Sequence, residues 1–242
     1  FSNAWVHQTV ESMSIALMLD AQGDAGILKA QEKMRATLED WIPKILSAQE
    51  PDGYLQTAFT LGARVDNRGN VTKGPFARWE RRDDHEGYVA GYFLEAAINH
   101  HLMTGGKDVR LYNAARKLAD CWCDNIGPTP KKAWYEGHQE MEQALVRFGR
   151  FVNEVEGGGR GRKYIELAKF LLDCRYTAAR SERERREYDQ SHLPVIEQYE
   201  AVGHAVRAVY SYSGMADVAA ETGDRDYQSA VRSLWDNIVN RK

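Results

Sequence analysis

Apolar residues recur at the spacing of an α-helix along almost the whole of this 242-residue chain, and no stretch of useful length alternates as a β-strand does. This periodicity predicts an all-α fold. The predicted helices cover residues 4–20, 26–48, 85–104, 108–125, 138–155, 162–175, 200–222 and 225–240.

The predicted helices form pairs joined by short segments that contain glycine, the residue that suits a left-handed helix end. Two much longer connections, residues 49–84 and 177–198, separate some of the pairs. Four consecutive hairpins with a period of about fifty residues fit either an open α-solenoid or part of a closed α/α barrel. The long loops lie away from the short turns and would build a pocket over one end, which favours the barrel. We therefore expect part of an (α/α)6 barrel, with about four of its six hairpins present.

Three of the paired helices carry a histidine at the same height. His85, His138 and His204 each precede the glycine of their short turn by 19 or 20 residues. At about 1.5 Å per residue this separation is about 29 Å, so each histidine lies at the helix end opposite the turn. Hairpins that pack side by side would therefore bring the three imidazoles to one rim. The first hairpin has Asn3 at the equivalent place.

Length and composition exclude several classes of function. With 43% hydrophobic residues the chain can bury one large core, and we expect a single domain over residues 1–242. The net charge of -3 gives no basic field for nucleic acid. No apolar run approaches the length of about 20 residues that crosses a bilayer, and we expect no signal peptide within this sequence and no membrane partner. The compartment stays open between cytoplasm and periplasm.

The three cysteines are too few for a disulfide framework. Cys121 and Cys123 are two residues apart in a predicted helix and do not share a face, so a zinc site there is not expected. We expect these two residues and Cys174 to be mostly buried thiols. The tryptophans Trp5, Trp41, Trp122 and Trp235 lie within helices and are expected in the core.

Four segments of the chain resemble the catalytic barrel of glycoside hydrolase family 127, the β-L-arabinofuranosidase family. They are QEPDGYLQT (49–57), HEGYVAGYFLEAAINHHLMTG (85–105), EGHQEMEQALVRF (136–148) and HLPVIEQYEAVGHAVRAVYSYSGMADVAAETGD (192–224). The likeness runs over nearly the whole chain, and the last segment is the most specific. One departure is Tyr92, where many relatives have histidine, and no role is transferred to it.

The resemblance implies an (α/α)6 barrel, normally followed by β-sandwich domains, that hydrolyses terminal β-L-arabinofuranosides with retention. In this family a zinc-held cysteine is the nucleophile and a glutamate is the acid/base. By resemblance these catalytic residues, with the glutamate-x-cysteine motif, are expected beyond Lys242. The chain alone is then expected to bind no metal and to be inactive, and the C-terminal part of the enzyme is a candidate partner.

The resemblance also implies roles for residues within the chain. The family's sugar-contacting histidines fall on His85, His138 and His204, and a neutral imidazole can both donate to and accept from a sugar hydroxyl. Residues expected behind or beside these contacts are His192, Glu197, Gln198 and Trp79. The carboxylates Glu86, Glu136 and Glu140 are close in sequence to the histidines, but we expect structural roles for them rather than the paired-carboxylate chemistry of other glycosidases.

Two other classes of function stay open at this stage. A non-catalytic α-hairpin scaffold would bind a peptide or protein in its inner groove, and its histidines would not converge. A sugar epimerase or isomerase on a related α/α barrel would use histidines as acid and base across a closed pocket. If the chain is part of a glycoside hydrolase, its residues alone do not fix a specificity for L-arabinofuranose.

Overall fold

The structure, a computed structural model, describes residues 2–65, 68–179 and 181–242. Helices dominate it, so the all-α prediction is confirmed, and each of the eight predicted helices is present with slightly shifted ends. The α-helices are α1 (Ser2–Leu17), α2 (Ala25–Ser47), α3 (Thr57–Thr60), α4 (Glu86–Met103), α5 (Arg110–Asn125), α6 (Glu140–Glu156), α7 (Arg162–Thr177), α8 (Ala205–Thr222) and α9 (Arg225–Asp236).

The two long loops contain short elements that the periodicity did not predict. The first holds α3 and an antiparallel pair of strands, β1 (Ala63–Val65) and β2 (Val71–Lys73), with Arg64 opposite Thr72. Single-turn 3₁₀ helices occupy Arg82–Asp84, Glu182–Glu184, Glu187–Asp189 and Val195–Glu197, and a π-helical turn, Asn237–Arg241, follows α9. Elements of three to five residues are too short to show a hydrophobic period. Residues 66, 67 and 180 of the predicted loops lie outside the described residues.

The short turns have the predicted conformation. Gly105, Gly157 and Gly223 have φ values of 58°, 68° and 67°, in the left-handed region that glycine adopts without steric cost. At Gly223 the backbone N–H bonds to the carbonyl of Ala219 at 3.1 Å and closes the end of α8. Glycine at these positions therefore ends one helix and allows the next to begin.

The chain divides into two compact units. The first comprises Phe1–Glu80 and Tyr92–Trp122. In its interior Trp79 packs edge-on against Tyr54 and Trp122, with ring centroids 5.5 Å apart in each pair. His7 of α1 is also buried there, and burial lowers its pKa to about 4.

The second unit comprises Arg81–Gly91 and Cys123–Lys242. Helices α6, α7 and α8 pack on one another, and α8 also packs on α9. Glycine permits the closest approach of α6 to the start of α7, because a β-carbon on Gly161 would stand only 1.8 Å from the carbonyl oxygen of Gly149. The expectation of a single domain over the whole chain stays a prediction.

Burial of the tryptophans and cysteines follows the sequence only in part. Trp122 is buried, but Trp5 and Trp235 are 69% and 68% exposed, so their expected core position is wrong. Helical spacing identifies the apolar face of a helix, but a residue on that face is buried only if another helix or loop packs against it. Cys121 and Cys174 are buried as expected, and Cys123 is half-buried. Within residues 2–65, 68–179 and 181–242, no helix has the length and hydropathy that spanning a bilayer requires.

Candidate functional site

The three histidines all belong to the second unit and lie at helix N-terminal ends, as their spacing predicts. His85 directly precedes α4, His138 lies two residues before α6, and His204 is the N-cap residue of α8. His85 has a φ of 55°, a left-handed conformation that costs a non-glycine residue about 1–2 kcal/mol. Strained backbone of this kind often accompanies functional residues.

The three imidazole rings converge. The ring centroids of His85 and His138 are 5.1 Å apart, and those of His138 and His204 are 6.0 Å apart. Tyr88 joins them, with its ring centroid 5.6 Å from that of His138. The aromatic ring of Tyr188 lies 5.3 Å from that of His204. We call His85, Tyr88, His138, Tyr188 and His204 the histidine cluster.

A buried carboxylate connects two members of this cluster. Glu136 is completely buried, and its Oε2 accepts hydrogen bonds from the backbone N–H of Gly87 at 2.7 Å and of Tyr88 at 3.3 Å. Its Oε1 accepts from the N–H of Gly137 at 2.7 Å and lies 3.6 Å from Nδ1 of His85. Gly87 and Tyr88 belong to the first turn of α4, whose N–H groups have no partner within the helix. Glu136 therefore caps α4 from another part of the chain and holds the segment before α6 against it.

His204 is oriented by its own helix. Its Nδ1 accepts a hydrogen bond from the backbone N–H of Arg207 at 3.5 Å, as an N-cap side chain does. In the neutral tautomer the proton is then on Nε2, which is a hydrogen-bond donor. His204 therefore presents a defined donor rather than a freely rotating ring.

His138 is held in the neutral form. Burial is the larger cause that lowers its pKa, and together with the nearby positive charge of Arg207 it brings the pKa to about 3. A neutral imidazole has one donor and one acceptor nitrogen, which is the pairing that a sugar hydroxyl requires. The ring keeps this capacity over the whole physiological pH range.

The long loop beside His204 is secured by buried side-chain amides. Gln139 donates from Nε2 to Oε1 of Gln190 at 2.9 Å and to the carbonyl of Asp189 at 3.0 Å. Gln190 in turn donates to the carbonyl of Val202 at 3.0 Å, and Gln198 donates to the carbonyl of Gln190 at 2.9 Å. These hydrogen bonds fix the path of the loop that carries Tyr188, and we call this part of the loop the wall.

A buried ion pair supports the same wall. Arg175 of α7 is fully buried and donates to Oε1 of Glu142 at 2.9 Å and to the carbonyls of Glu136 at 2.8 Å and Asp189 at 3.1 Å. Burial raises the pKa of Glu142 to about 7, although the Arg175 guanidinium opposes this effect. The guanidinium of Arg175 thus links three parts of the chain: α6, the segment that carries His138, and the loop that carries Tyr188.

The remaining residues singled out from the sequence lie in different surroundings. Gln198 is buried and is one of the amides that secure the loop, while Glu197 is exposed. His192 is half-buried in that loop, and burial lowers its pKa. Trp79 belongs to the interior of the first unit. Glu140 is buried, with Oε2 at the place a β-carbon on Gly91 would occupy.

The site residues predicted from the sequence did not include Tyr88, Tyr188 or Arg207. A signal for two of them was available, because Tyr88 and Arg207 each follow a histidine by three residues and so share its helical face. Tyr188 is in an irregular loop, where spacing gives no such information. Among the residues that the structure describes, no group of three or more His, Cys, Asp or Glu side chains is arranged to hold a metal ion.

The sequence and the fold of the chain agree with one family of catalytic domains. A family model described as the β-L-arabinofuranosidase, GH127 catalytic domain matches residues 5–242. The chain therefore belongs to glycoside hydrolase family 127, and the resemblance read from the sequence is confirmed.

Individual relatives agree with this assignment. The chain is 29% identical over 232 residues to the non-reducing end β-L-arabinofuranosidase of Bifidobacterium longum subsp. longum, over 87% of this chain and 32% of that protein. It is similar to the crystal structure of Ara127N-Se, a GH127 β-L-arabinofuranosidase from Geobacillus stearothermophilus T6, with a TM-score of 0.74 and 30% identity over 99% of this chain and 36% of that one. Another solved structure, described as a glycoside hydrolase, gives a TM-score of 0.68 and 25% identity over 100% of this chain and 33% of that one. The chain spans about a third of the length of these relatives.

Proposed function

We propose that this chain is the sugar-binding part of a glycoside hydrolase that releases terminal β-L-arabinofuranosyl residues, and that His85, His138 and His204 contact the sugar. The observation that carries the proposal is the convergence of the three imidazoles, with centroids 5.1 Å and 6.0 Å apart, in a chain of this family. A furanose has several hydroxyl groups within a few ångströms, and three imidazoles can pair with them as donors and acceptors.

The proposal assigns the chemistry to residues outside this chain. By family resemblance the nucleophile is a zinc-held cysteine and the acid/base is a glutamate, and the sequence to Lys242 contains no glutamate-x-cysteine motif. The described residues do not fit a zinc site, because they contain no cluster of ligands for it. Hence no chemical step is assigned to the residues of this chain, which orient the sugar. We further propose that the hairpins form part of an (α/α)6 barrel. The rest of the enzyme would supply the remaining hairpins of the barrel and the β-sandwich domains that follow it.

Convergence of the histidines bears on the alternative functions. The scaffold hypothesis required rings that do not meet, and those of the histidine cluster do meet. The epimerase hypothesis required two histidines facing each other across a closed pocket, whereas His85 and His138 are neighbours in ring contact. Arabinofuranoside hydrolysis is therefore the function that the site supports best.

Substitution of single histidines tests the proposal. In a polypeptide extended past Lys242, His85→Ala, His138→Ala and His204→Ala are each expected to lower kcat/KM on an aryl β-L-arabinofuranoside by about 10- to 100-fold, as expected for a lost hydrogen bond to a bound sugar. His101→Ala, in the last turn of α4 and outside the cluster, is the matched control and should leave kcat/KM unchanged. Equal activity of all four variants would contradict the assignment of these histidines, and preference for an aryl α-L-arabinofuranoside would contradict the substrate class.

A further inference from the structure

Arg207 is a buried cation at the edge of the histidine cluster. The residue is only 7% exposed, and its guanidinium carbon lies 4.6 Å from the ring centroid of Tyr188. Its Nη1 lies 3.4 Å from the point where a β-carbon on Gly137 would stand, directly beside His138. The guanidinium is thus placed between the His138 segment and the aromatic wall of the loop.

Among the described side chains, which are those of residues 2–65, 68–179, 181 and 183–242, no carboxylate compensates this charge. Nε of Arg207 is buried there without a hydrogen-bond partner, and no ion pair of the guanidinium is found in the same ranges. Glu136 of the same site is already engaged by three backbone N–H groups. A buried guanidinium with open N–H positions carries a large desolvation cost, which stacking on Tyr188 offsets only in part.

The local field is positive for a second, independent reason. Arg207 lies in the first turn of α8, an 18-residue helix, where the unpaired N–H groups and the helix dipole favour an anion. The electrostatic influence of Arg207 on His138 has the same sign. The site is thus arranged to receive negative charge that the described part of the chain does not supply.

We propose that Arg207, stacked on Tyr188, forms a carboxylate-binding subsite next to the three histidines. The planar guanidinium matches the two oxygens of a carboxylate, and the imidazoles beside it suit hydroxyl groups, so a sugar acid satisfies both. The carboxylate can come from a uronic acid residue of the substrate or from an acidic side chain outside the described residues. This inference rests on the proposed sugar site for the hydroxyl contacts and adds the recognition of an acidic group.

A pair of sugars that differ only at one carbon tests the proposal. D-glucuronate carries a carboxylate where D-glucose carries a hydroxymethyl group, and their affinities for this chain are compared by calorimetry at constant ionic strength. We expect D-glucuronate to bind at least about tenfold more tightly, as a charge-assisted bidentate pair provides. Arg207→Gln should abolish the difference, and Arg207→Lys should reduce it because the charge remains without the planar pair of donors.

Controls separate this subsite from general electrostatics and from loss of folding. Arg225→Gln removes an exposed charge from α9 of the same unit and should keep the preference for D-glucuronate. Circular dichroism reports whether Arg207→Gln is folded, and Arg207→Lys provides a second variant if it is not. Equal affinity of the two sugars for the unmodified chain, or a preference that survives in folded Arg207→Gln, overturns the proposal.

A longer polypeptide distinguishes the two sources of the carboxylate. If the preference for D-glucuronate persists in a polypeptide extended past Lys242, the acid belongs to the substrate. If the preference is present in this chain but lost in the longer one, a side chain of the enzyme occupies the subsite. Because both results are binding measurements, they do not depend on whether an aryl β-L-arabinofuranoside is hydrolysed.

Discussion

Glu136 is the residue on which the geometry of the histidine cluster depends most directly. Its carboxylate accepts hydrogen bonds from three backbone N–H groups and lies beside Nδ1 of His85. Glu136 also precedes His138 by two residues in the sequence. The carboxylate thus acts as an N-cap for α4 and also lies against the imidazole of His85. It fixes Gly87 and Tyr88, which follow the left-handed His85 in the chain.

Removing the Glu136 carboxylate should destabilise the fold. In Glu136→Ala the N–H groups of Gly87, Tyr88 and Gly137 lose their acceptor in a buried place, and we expect the free energy of unfolding to fall by about 2–4 kcal/mol. Urea denaturation followed by circular dichroism measures the change. Glu200→Ala removes a carboxylate that is largely exposed and should change the free energy by less than about 0.5 kcal/mol. A loss at Glu136 no larger than at Glu200 would show that the N–H groups find other acceptors.

At the scale of elements, pairs of helices define the positions of the histidines. In each hairpin that carries one of the histidines, the turn between the two helices contains a glycine with positive φ, and the histidine lies one helix length before that glycine. Where α6 meets the start of α7, Gly149 and Gly161 allow the backbones to touch. This contact sets the separation of two helices, one of which begins two residues after His138.

A β-carbon at position 161 should separate these helices. Gly161→Ala places a methyl group 1.8 Å from the carbonyl oxygen of Gly149, which backbone atoms cannot accommodate without movement. We expect a loss of about 2–3 kcal/mol in the free energy of unfolding. Gly158→Ala is the comparison, because its β-carbon meets no atom within 4 Å and only the left-handed φ of 66° has a cost, about 1 kcal/mol. Thermal denaturation of both variants ranks the two costs, and an equal shift in Tm would mean that the α6–α7 contact is not tight.

At the scale of the whole molecule, sugar binding and bond cleavage are proposed to belong to different stretches of sequence. The chain spans about a third of the length of its relatives, and the histidine cluster lies entirely in its second unit. Under this proposal, residues of this chain recognise the sugar, and the nucleophile comes from a stretch of sequence outside it.

This division predicts a clear difference between two polypeptides. On an aryl β-L-arabinofuranoside the 242-residue chain should show no turnover above background, and a polypeptide extended past Lys242 should show zinc-dependent turnover. Release of the aryl group, with and without a chelator, measures both. Robust zinc-dependent turnover by the 242-residue chain would contradict the proposed location of the nucleophile.

The sequence predicted those features that depend on local geometry. A constant rise per residue relates His85, His138 and His204 to their turn glycines, so counting residues was enough to align them. The environment of Arg207 could not be obtained in this way, because it depends on the path of an irregular loop and on the position of Tyr188. The exposure of Trp5 and Trp235 depends on which surfaces are covered, which helical spacing does not record.

The amides of Gln139, Gln190 and Gln198 have a consequence for how this site can vary. Because they secure the loop through main-chain carbonyls, its path does not depend on the identity of its outward-facing side chains. Substitutions at exposed positions of the loop such as Leu193 should therefore leave the backbone trace of the loop unchanged. The chemistry of this surface can thus change while the backbone that carries Tyr188 keeps its path.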